Sequence, residues 1–299
     1  MSHRTGIDTI SHSRVGKLET VRDESGIAVI PHPFESKPIA TEAHIRIPTR
    51  FNPILTTLLE RVNSDQELKA LWRCANVNAV DRLHMADHGW VHVQIVANLA
   101  LKTLRLLMQA GVEPSVVRHH GLSPLDAEVV VVMAALLHDV GMSIHRDDHE
   151  RHSLMVASPK LKDLFSDLYD IDTATVMRSE VLHAILAHSS EQTPLTIEAG
   201  VVRVADALDM TSGRSRISFE AGNVNIHTLS AAAIERIDIG PGEVKAVRIS
   251  IIMSNSAGLY QVDELLRKKL WSSGLTDYLE IVATIDGSEE KKLIERLEL

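Results

Sequence analysis

The sequence has only one cysteine, Cys74, among its 299 residues, so no internal disulfide can form, and a metal site would have to use nitrogen and oxygen ligands instead of thiolates. A long apolar run is missing too. The longest, Val129 to Leu137, is about half of the roughly 18 residues that make a transmembrane helix a candidate, and it stops at a His-Asp pair. A soluble protein with no membrane contact is therefore expected. The opening residues, MSHRTGIDTISHSR, lack the apolar stretch of a secretory signal, which leads to the expectation of a cytoplasmic location. Basic residues are in deficit: the formal net charge is -9, which disfavours broad attraction to nucleic acid or an anionic membrane. No nucleic-acid partner is expected, and an anionic substrate has to meet a local positive patch.

What the chain has in quantity is apolar surface, ample for a buried core, and histidine. Most of its 16 histidines fall between His84 and His188, a clustering that points to metal. Residues 1–50 read as an extended arm packing on a larger body. Within it LETV and IAVI flank the turn-like Arg-Asp-Glu-Ser-Gly as in a β-hairpin, and Pro31, Pro33 and Pro38 discourage helix afterwards. Helical spacing begins with Ile54, Leu55, Leu58, Leu59 and Val62, returns in Leu68, Leu71, Trp72 and Ala75, and dominates to about Met210. Ser123 as N-cap, Pro124 at the first helical position and Asp126 three residues after the cap predict a capping-box start, with Gly141 as the stop. Beyond Phe219 the character changes. Val244 to Met253 and Leu279 to Ile285 read as strands around a helix from Val262 to Trp271. The fold class expected is mainly α, in three parts: arm (1–50), helical domain (51–218) and a smaller C-terminal α+β domain (219–299).

Three helical segments carry polar residues that suit one metal site. Asp87 is placed to cap a helix in which His92 lies one turn beyond His88, so two imidazoles share a face. His138 and Asp139 close the apolar stretch AEVVVVMAALL, where an unpaired carboxylate costs several kcal/mol and a cation offsets that cost. Asp206, in VVRVADALDM, repeats the logic; the competing reading for both acids is a buried salt bridge, to Arg203 or Arg214 for instance.

A helix-borne His, a His-Asp pair and a later Asp, here His92 in HVQIVANLA, His138 and Asp139 in LLHDVG, and Asp206 in VADALD, together resemble the HD superfamily of metal-dependent phosphohydrolases across roughly residues 72–216. Branches of that superfamily that bind two metals, including those that hydrolyse dinucleoside polyphosphates, are similar in two further places. One is a His four positions before a small residue, matched by His149 and Ser153; the other is a His after an Ala-Ile pair, matched by His188 in AILAHS. Helical geometry favours His188 over His183, because His188 falls near the stripe of Met177, Val181 and Ile185. Between His149 and His152 periodicity does not decide, and the family spacing favours His149.

The resemblance implies a helical HD-domain core with His92, His138, Asp139, His149, His188 and Asp206 as ligands of one or two divalent ions. Four imidazoles and two carboxylates suit Mn, Fe, Co, Ni or Zn better than Ca or Mg. Asp139 is expected to join the ligands on either side of it and to orient the attacking water. Arg146 and Arg214, with Arg216 nearby, are expected to neutralise phosphate charge, and His145 to protonate the leaving alkoxide. One departure matters: many relatives carry Lys after His-Asp-x-Gly, where this chain has Met142. The expected substrate is a nucleotide or small phosphorylated metabolite, and a homo-oligomer is expected, with the C-terminal part regulating or oligomerising. The rivals are a di-iron oxygenase, marked by oxygen uptake without phosphate release, and a non-catalytic nucleotide sensor.

Overall fold

In the computed structural model, residues 43–189, 191–210 and 230–286 are described, with the backbone of short strands at 21–22, 28–29 and 296–298. The chain divides into two compact units, Met1–Glu42 and Ala43–Leu299. In the first, β1 (Val21–Arg22) pairs antiparallel with β2 (Ala28–Val29), Val21 opposite Val29, in the hairpin region expected from the sequence. The second unit starts with extended chain in which Ala43, Ile45 and Ile47 are buried while the residues between them are exposed, the period-two pattern of a segment lying on a core. Asn63 clasps it, accepting from the Ile45 N–H at 2.7 Å and donating to the Ile45 carbonyl at 2.9 Å.

Helix α1 (Pro53–Ser64) opens on Asn52, whose side chain accepts from the Leu55 N–H, and the same side chain donates to the Leu125 carbonyl and to Glu128. One residue thus caps one helix and ties it to another. Then follow α2 (Gln66–Asn76), continued by a wider helical turn to Arg82, α3 (Trp90–Gln109), α4 (Ser115–His120), α5 (Pro124–Leu137), α6 (His149–Leu164), α7 (Ile171–Ala187) and α8 (Ile197–Leu208). The capping box of α5 is present in full: Ser123 accepts from the Asp126 N–H and Asp126 accepts from the Ser123 N–H. Every residue of α5 from Asp126 to Leu137 is buried, because the helix is apolar on all sides and α3, α7 and α8 surround it. Arg105 of α3 holds Glu128 of α5 through two bonds of 2.7 and 3.0 Å. By length and composition α3 is apolar enough to cross a membrane, with half of that stretch buried inside the protein; it is the helix that delivers His92.

The C-terminal part is a four-stranded sheet in the order β3 (Ile234–Pro241), β4 (Val247–Met253), β5 (Leu279–Ile285), β6 (Arg296–Glu298). The pairs are antiparallel, parallel and antiparallel in turn. The parallel step from β4 to β5 requires a crossover, supplied by the helical stretch Gln261–Leu266 and its continuation α9 (Arg267–Trp271). Strand β3 is absent from the sequence reading because it lies at the sheet edge, burying only Ile234 and Ile239. The strand expected from Val244 to Met253 begins at Val247, because the N–H groups of Glu243, Val244 and Lys245 all turn onto the Glu280 carboxylate. Gly141 also differs from expectation. The helix ends at Leu137, and Gly141 lies in a following short turn, where a Cβ would meet the His149 carbonyl at 2.1 Å and the Ser153 nitrogen at 2.3 Å. Its role is to let the α5 exit touch the backbone of α6.

Candidate metal centre

The last turn of α5 leaves carbonyls without intrahelical donors, and side chains satisfy them. Trp72 Nε1 donates to the Leu136 carbonyl at 2.9 Å, His138 Nδ1 lies 2.8 Å from the Ala135 carbonyl, and Ser153 Oγ donates to the His138 carbonyl at 2.5 Å while accepting from the Gly141 N–H. These bonds anchor the His138-Asp139 pair. At the end of α7 the device recurs, with His188 Nδ1 2.6 Å from the Ile185 carbonyl. His149, first residue of α6, places its Nδ1 3.0 Å from the Arg146 carbonyl. His92, in the first turn of α3, has its Nδ1 2.6 Å from Asp209 Oδ2. Gly89 is the N-cap of that helix, and Asp87, two residues earlier, accepts from the Gly89 and His92 N–H groups.

In His92, His138 and His188 Nδ1 faces an acceptor and so carries a hydrogen, which turns Nε2 toward the site, while His149 Nδ1 faces both the carbonyl and the guanidinium of Arg146. The four Nε2 atoms converge on two carboxylates. Asp139 Oδ2 lies 3.3 Å from His92 Nε2 and 3.3 Å from His138 Nε2; Asp139 Oδ1 lies 3.3 Å from His149 Nε2 and 3.9 Å from His188 Nε2. Asp206 Oδ1 is 3.4 Å from His92 Nε2 and 3.7 Å from His138 Nε2. All are buried except Asp206, which is partly exposed. Their donor atoms fall into three overlapping groups: His92, His138 and Asp139; His138, His188 and Asp206; Asp139, His149 and His188. With His92 Nε2 and His138 Nε2 3.2 Å apart, ring nitrogens and carboxylate oxygens crowd together as a good set of donors for a borderline-soft cation that displaces any proton held among them. Outer partners on every Nδ1 are what a metal-binding imidazole uses to hold its tautomer.

The electrostatics express the same demand for positive charge. Burial disfavours a charged His138, yet the facing Asp139 and Asp206 outweigh it and push its pKa up to about 9. Burial also works against ionised carboxylates, but His138 above all holds Asp139 well below the usual carboxylate range, and Lys269 above all does so for Asp206. His188 goes the other way: burial, and then the charge on His138, push it down to about 3.

All six residues expected as ligands are thus brought together, and His149 is the inward member of its pair, whereas His152 offers no donor to the groups above among the described residues. His88 is buried with its Nδ1 2.7 Å from the Ala86 carbonyl and lies outside those groups. Arg146 reaches the cluster, its Nη1 2.8 Å from His149 Nδ1. His145 is exposed, and its ring contacts Asp147, whose N–H donates to its Nδ1. Arg214 and Arg216 lie outside the described residues. Met142 is fully buried, and its carbonyl accepts from Asn78. Arg203 is no salt-bridge partner of Asp206, since its guanidinium goes to the carbonyls of Ser189, Gln192 and Ser272.

Two residues that contact the donor groups escape a sequence reading. Asp209 sits three residues after Asp206, and that helical spacing was the available signal for a second inward carboxylate. Lys269, with its Nζ 2.5 Å from Asp206 Oδ2, comes from the C-terminal part and has no local signal at all.

Comparison with known proteins agrees with the geometry. The HD domain family matches residues 92–211, a span from the first ligand, His92, to just beyond Asp209. The chain is 40% identical over 240 residues to the uncharacterized protein MJ1020 of Methanocaldococcus jannaschii, an alignment covering 80% of this chain and 92% of that protein. No solved structure matches.

Proposed function

We propose, because this chain belongs to the HD-domain superfamily of metal-dependent phosphohydrolases, that it hydrolyses a phosphoester of a nucleotide or small phosphorylated metabolite at a centre of two divalent transition-metal ions. The observation that carries this reading is the division of Asp139, whose two oxygens face different histidine pairs. His92, His138 and Asp206 would hold one ion, His149 and His188 the other, with Asp139 shared between them. When bound, such ions supply Lewis acidity and an acidified water. The chain's own residues supply the rest. Asp139 orients the nucleophile between the two sides. Asp209 and the Ala135, Ile185 and Arg146 carbonyls keep the imidazoles aimed, and the apolar walls of α5 exclude bulk water. Arg146, beside His149, is proposed to neutralise charge on the phosphate, as is Arg214 from its place in the chain.

The test is to reconstitute the protein separately with Mn, Fe, Co, Ni and Zn and present a panel of nucleoside phosphates, cyclic and dinucleotides and phosphomonoesters. Orthophosphate or pyrophosphate release by at least one metal form, absent in Asp139→Asn, is the expected outcome. Occupied metal sites with no phosphate release from any substrate overturn the reading, and oxygen uptake in its place points to the oxygenase.

A further inference from the structure

We propose that Lys269 is a phosphate-binding cation of this centre, delivered by the C-terminal part of the chain; this rests on the phosphohydrolase reading above. Asp206 presents Oδ1 to His92 and His138, while Lys269 Nζ takes the other oxygen, Oδ2, at 2.5 Å. The lysine is neither entombed nor free in solvent, its side chain being 24% exposed. Its neighbours in α9 point elsewhere: Lys268 is 66% exposed and pairs with Glu264, and Leu270 is buried in the core.

The seat of Lys269 is built, not incidental. Arg203, on the helix that carries Asp206, donates to the Ser272 carbonyl at 3.0 Å just beyond α9, and also to the Ser189 and Gln192 carbonyls that follow His188. On the same helix Gly200 touches the chain after α9 so closely that a Cβ would lie 2.3 Å from the Ser273 carbonyl oxygen. Backbone contact at this range leaves α9 little room to shift against α8, so the ammonium is held at the ligand.

A lysine whose whole task was to neutralise Asp206 would conflict with a divalent ion on the same carboxylate, since the two cations repel. With two ions in place, Lys269 and Arg146 add to their charge. Asp139 and Asp206, even with Asp209 and Glu150 behind the histidines, leave a surplus of positive charge. An anion resolves that surplus. An ammonium has three donors, and the bond to Asp206 uses one, so donors remain for phosphate oxygens. Arg146 adjoins His149 and Lys269 adjoins Asp206, so the two cations approach the centre from its two ends, with Asp139 between.

The experiment titrates inorganic phosphate into the full-length, metal-reconstituted protein by calorimetry, for wild type, Lys269→Gln and Lys269→Arg, with metal content measured on the same samples. Lys269→Gln should keep its metals and bind phosphate about tenfold or more weakly, the loss expected for one charge-assisted bond; Lys269→Arg should lose less. As a measurement that needs no neutral variant to fold, the 13C-methylated Lys269 signal in the wild type, assigned by its absence in Lys269→Arg, should move on phosphate addition. Equal phosphate affinity in Lys269→Gln, or a stationary Lys269 signal, overturns the proposal. Loss of metal with phosphate affinity per occupied site intact does so too, and makes Lys269 a positioning group for Asp206. If the wild type binds no phosphate and hydrolyses no phosphoester, the phosphohydrolase reading itself falls. Wild-type phosphate binding that ignores Lys269 sinks only the present inference.

Discussion

His138 follows the last residue of α5 and His188 the last residue of α7, and each turns its Nδ1 to the carbonyl three residues earlier, Ala135 at 2.8 Å and Ile185 at 2.6 Å. Built alike, the two rings differ in charge. His138 has Asp139 and Asp206 before it and is pushed up to about 9; His188, equally buried, lies 3.9 Å from Asp139 Oδ1, and burial and His138 push it down to about 3. A helix end can thus aim an imidazole and choose its tautomer through one local bond. Whether that imidazole carries a proton is decided across the site, by groups from other helices.

The largest effect should come from breaking what the two ends share. Asp139→Asn removes the charge that faces both histidine pairs, so dialysed protein should retain almost no metal by elemental analysis, and turnover should vanish with it. Wild-type metal content in that variant would show that Asp139 is not the common ligand. A smaller change acts on one side only. Asp209→Asn weakens the partner of His92 Nδ1, and loss of such an outer partner typically costs ~10–100-fold in metal affinity; chelator competition should show the loss for one class of site and leave the His188 side unaltered. An equal loss for both classes would mean that the two sides are one cooperative unit.

The smallest effect sharpens the charge contrast itself, in the ion-free protein. For His138 the folded pKa of about 9 lies above the ordinary 6.5, so its contribution to stability is fully present below pH 6.5 and is lost as pH rises through about 9. For His188 the folded value of about 3 lies below 6.5, so keeping it neutral costs stability progressively as pH falls from 6.5 toward 3. Urea unfolding across this range should therefore show an alkaline decline that His138→Gln flattens and an acid decline that His188→Gln reduces. Because a metal must displace the His138 proton, affinity for the ion should also rise with pH toward about 9. An alkaline limb identical in wild type and His138→Gln would remove the basis for the contrast.

Much of this centre was legible before any coordinates, because its ligands sit at helix ends and in helix stripes, where the local pattern carries the information. The apolar stretch closed by His138 and Asp139, the capping box at Ser123, and the Met177, Val181 and Ile185 stripe leading to His188 all depend on residues within about three turns of each other. Asp206 was recognisable as a carboxylate in a segment too apolar to leave it idle, His92 as an imidazole one turn beyond His88, and resemblance to the HD superfamily supplied His149 where periodicity was silent. The edge strand β3 was missed for the converse reason, since a strand with so few buried side chains carries little pattern.

By itself, then, the sequence determined that helices dominate the middle of the chain, where α5 begins and which imidazoles and carboxylates the helices carry, because those depend on short-range hydrogen bonding and on the period of apolar residues. Only the tertiary structure decided how the groups are paired and charged. The division of Asp139 between two histidine pairs, the grip of Asp209 on His92 and the arrival of Lys269 at Asp206 join residues far apart in the chain. Such contacts depend on how whole helices pack, and the strength of a buried charge depends on every neighbour that packing brings to it.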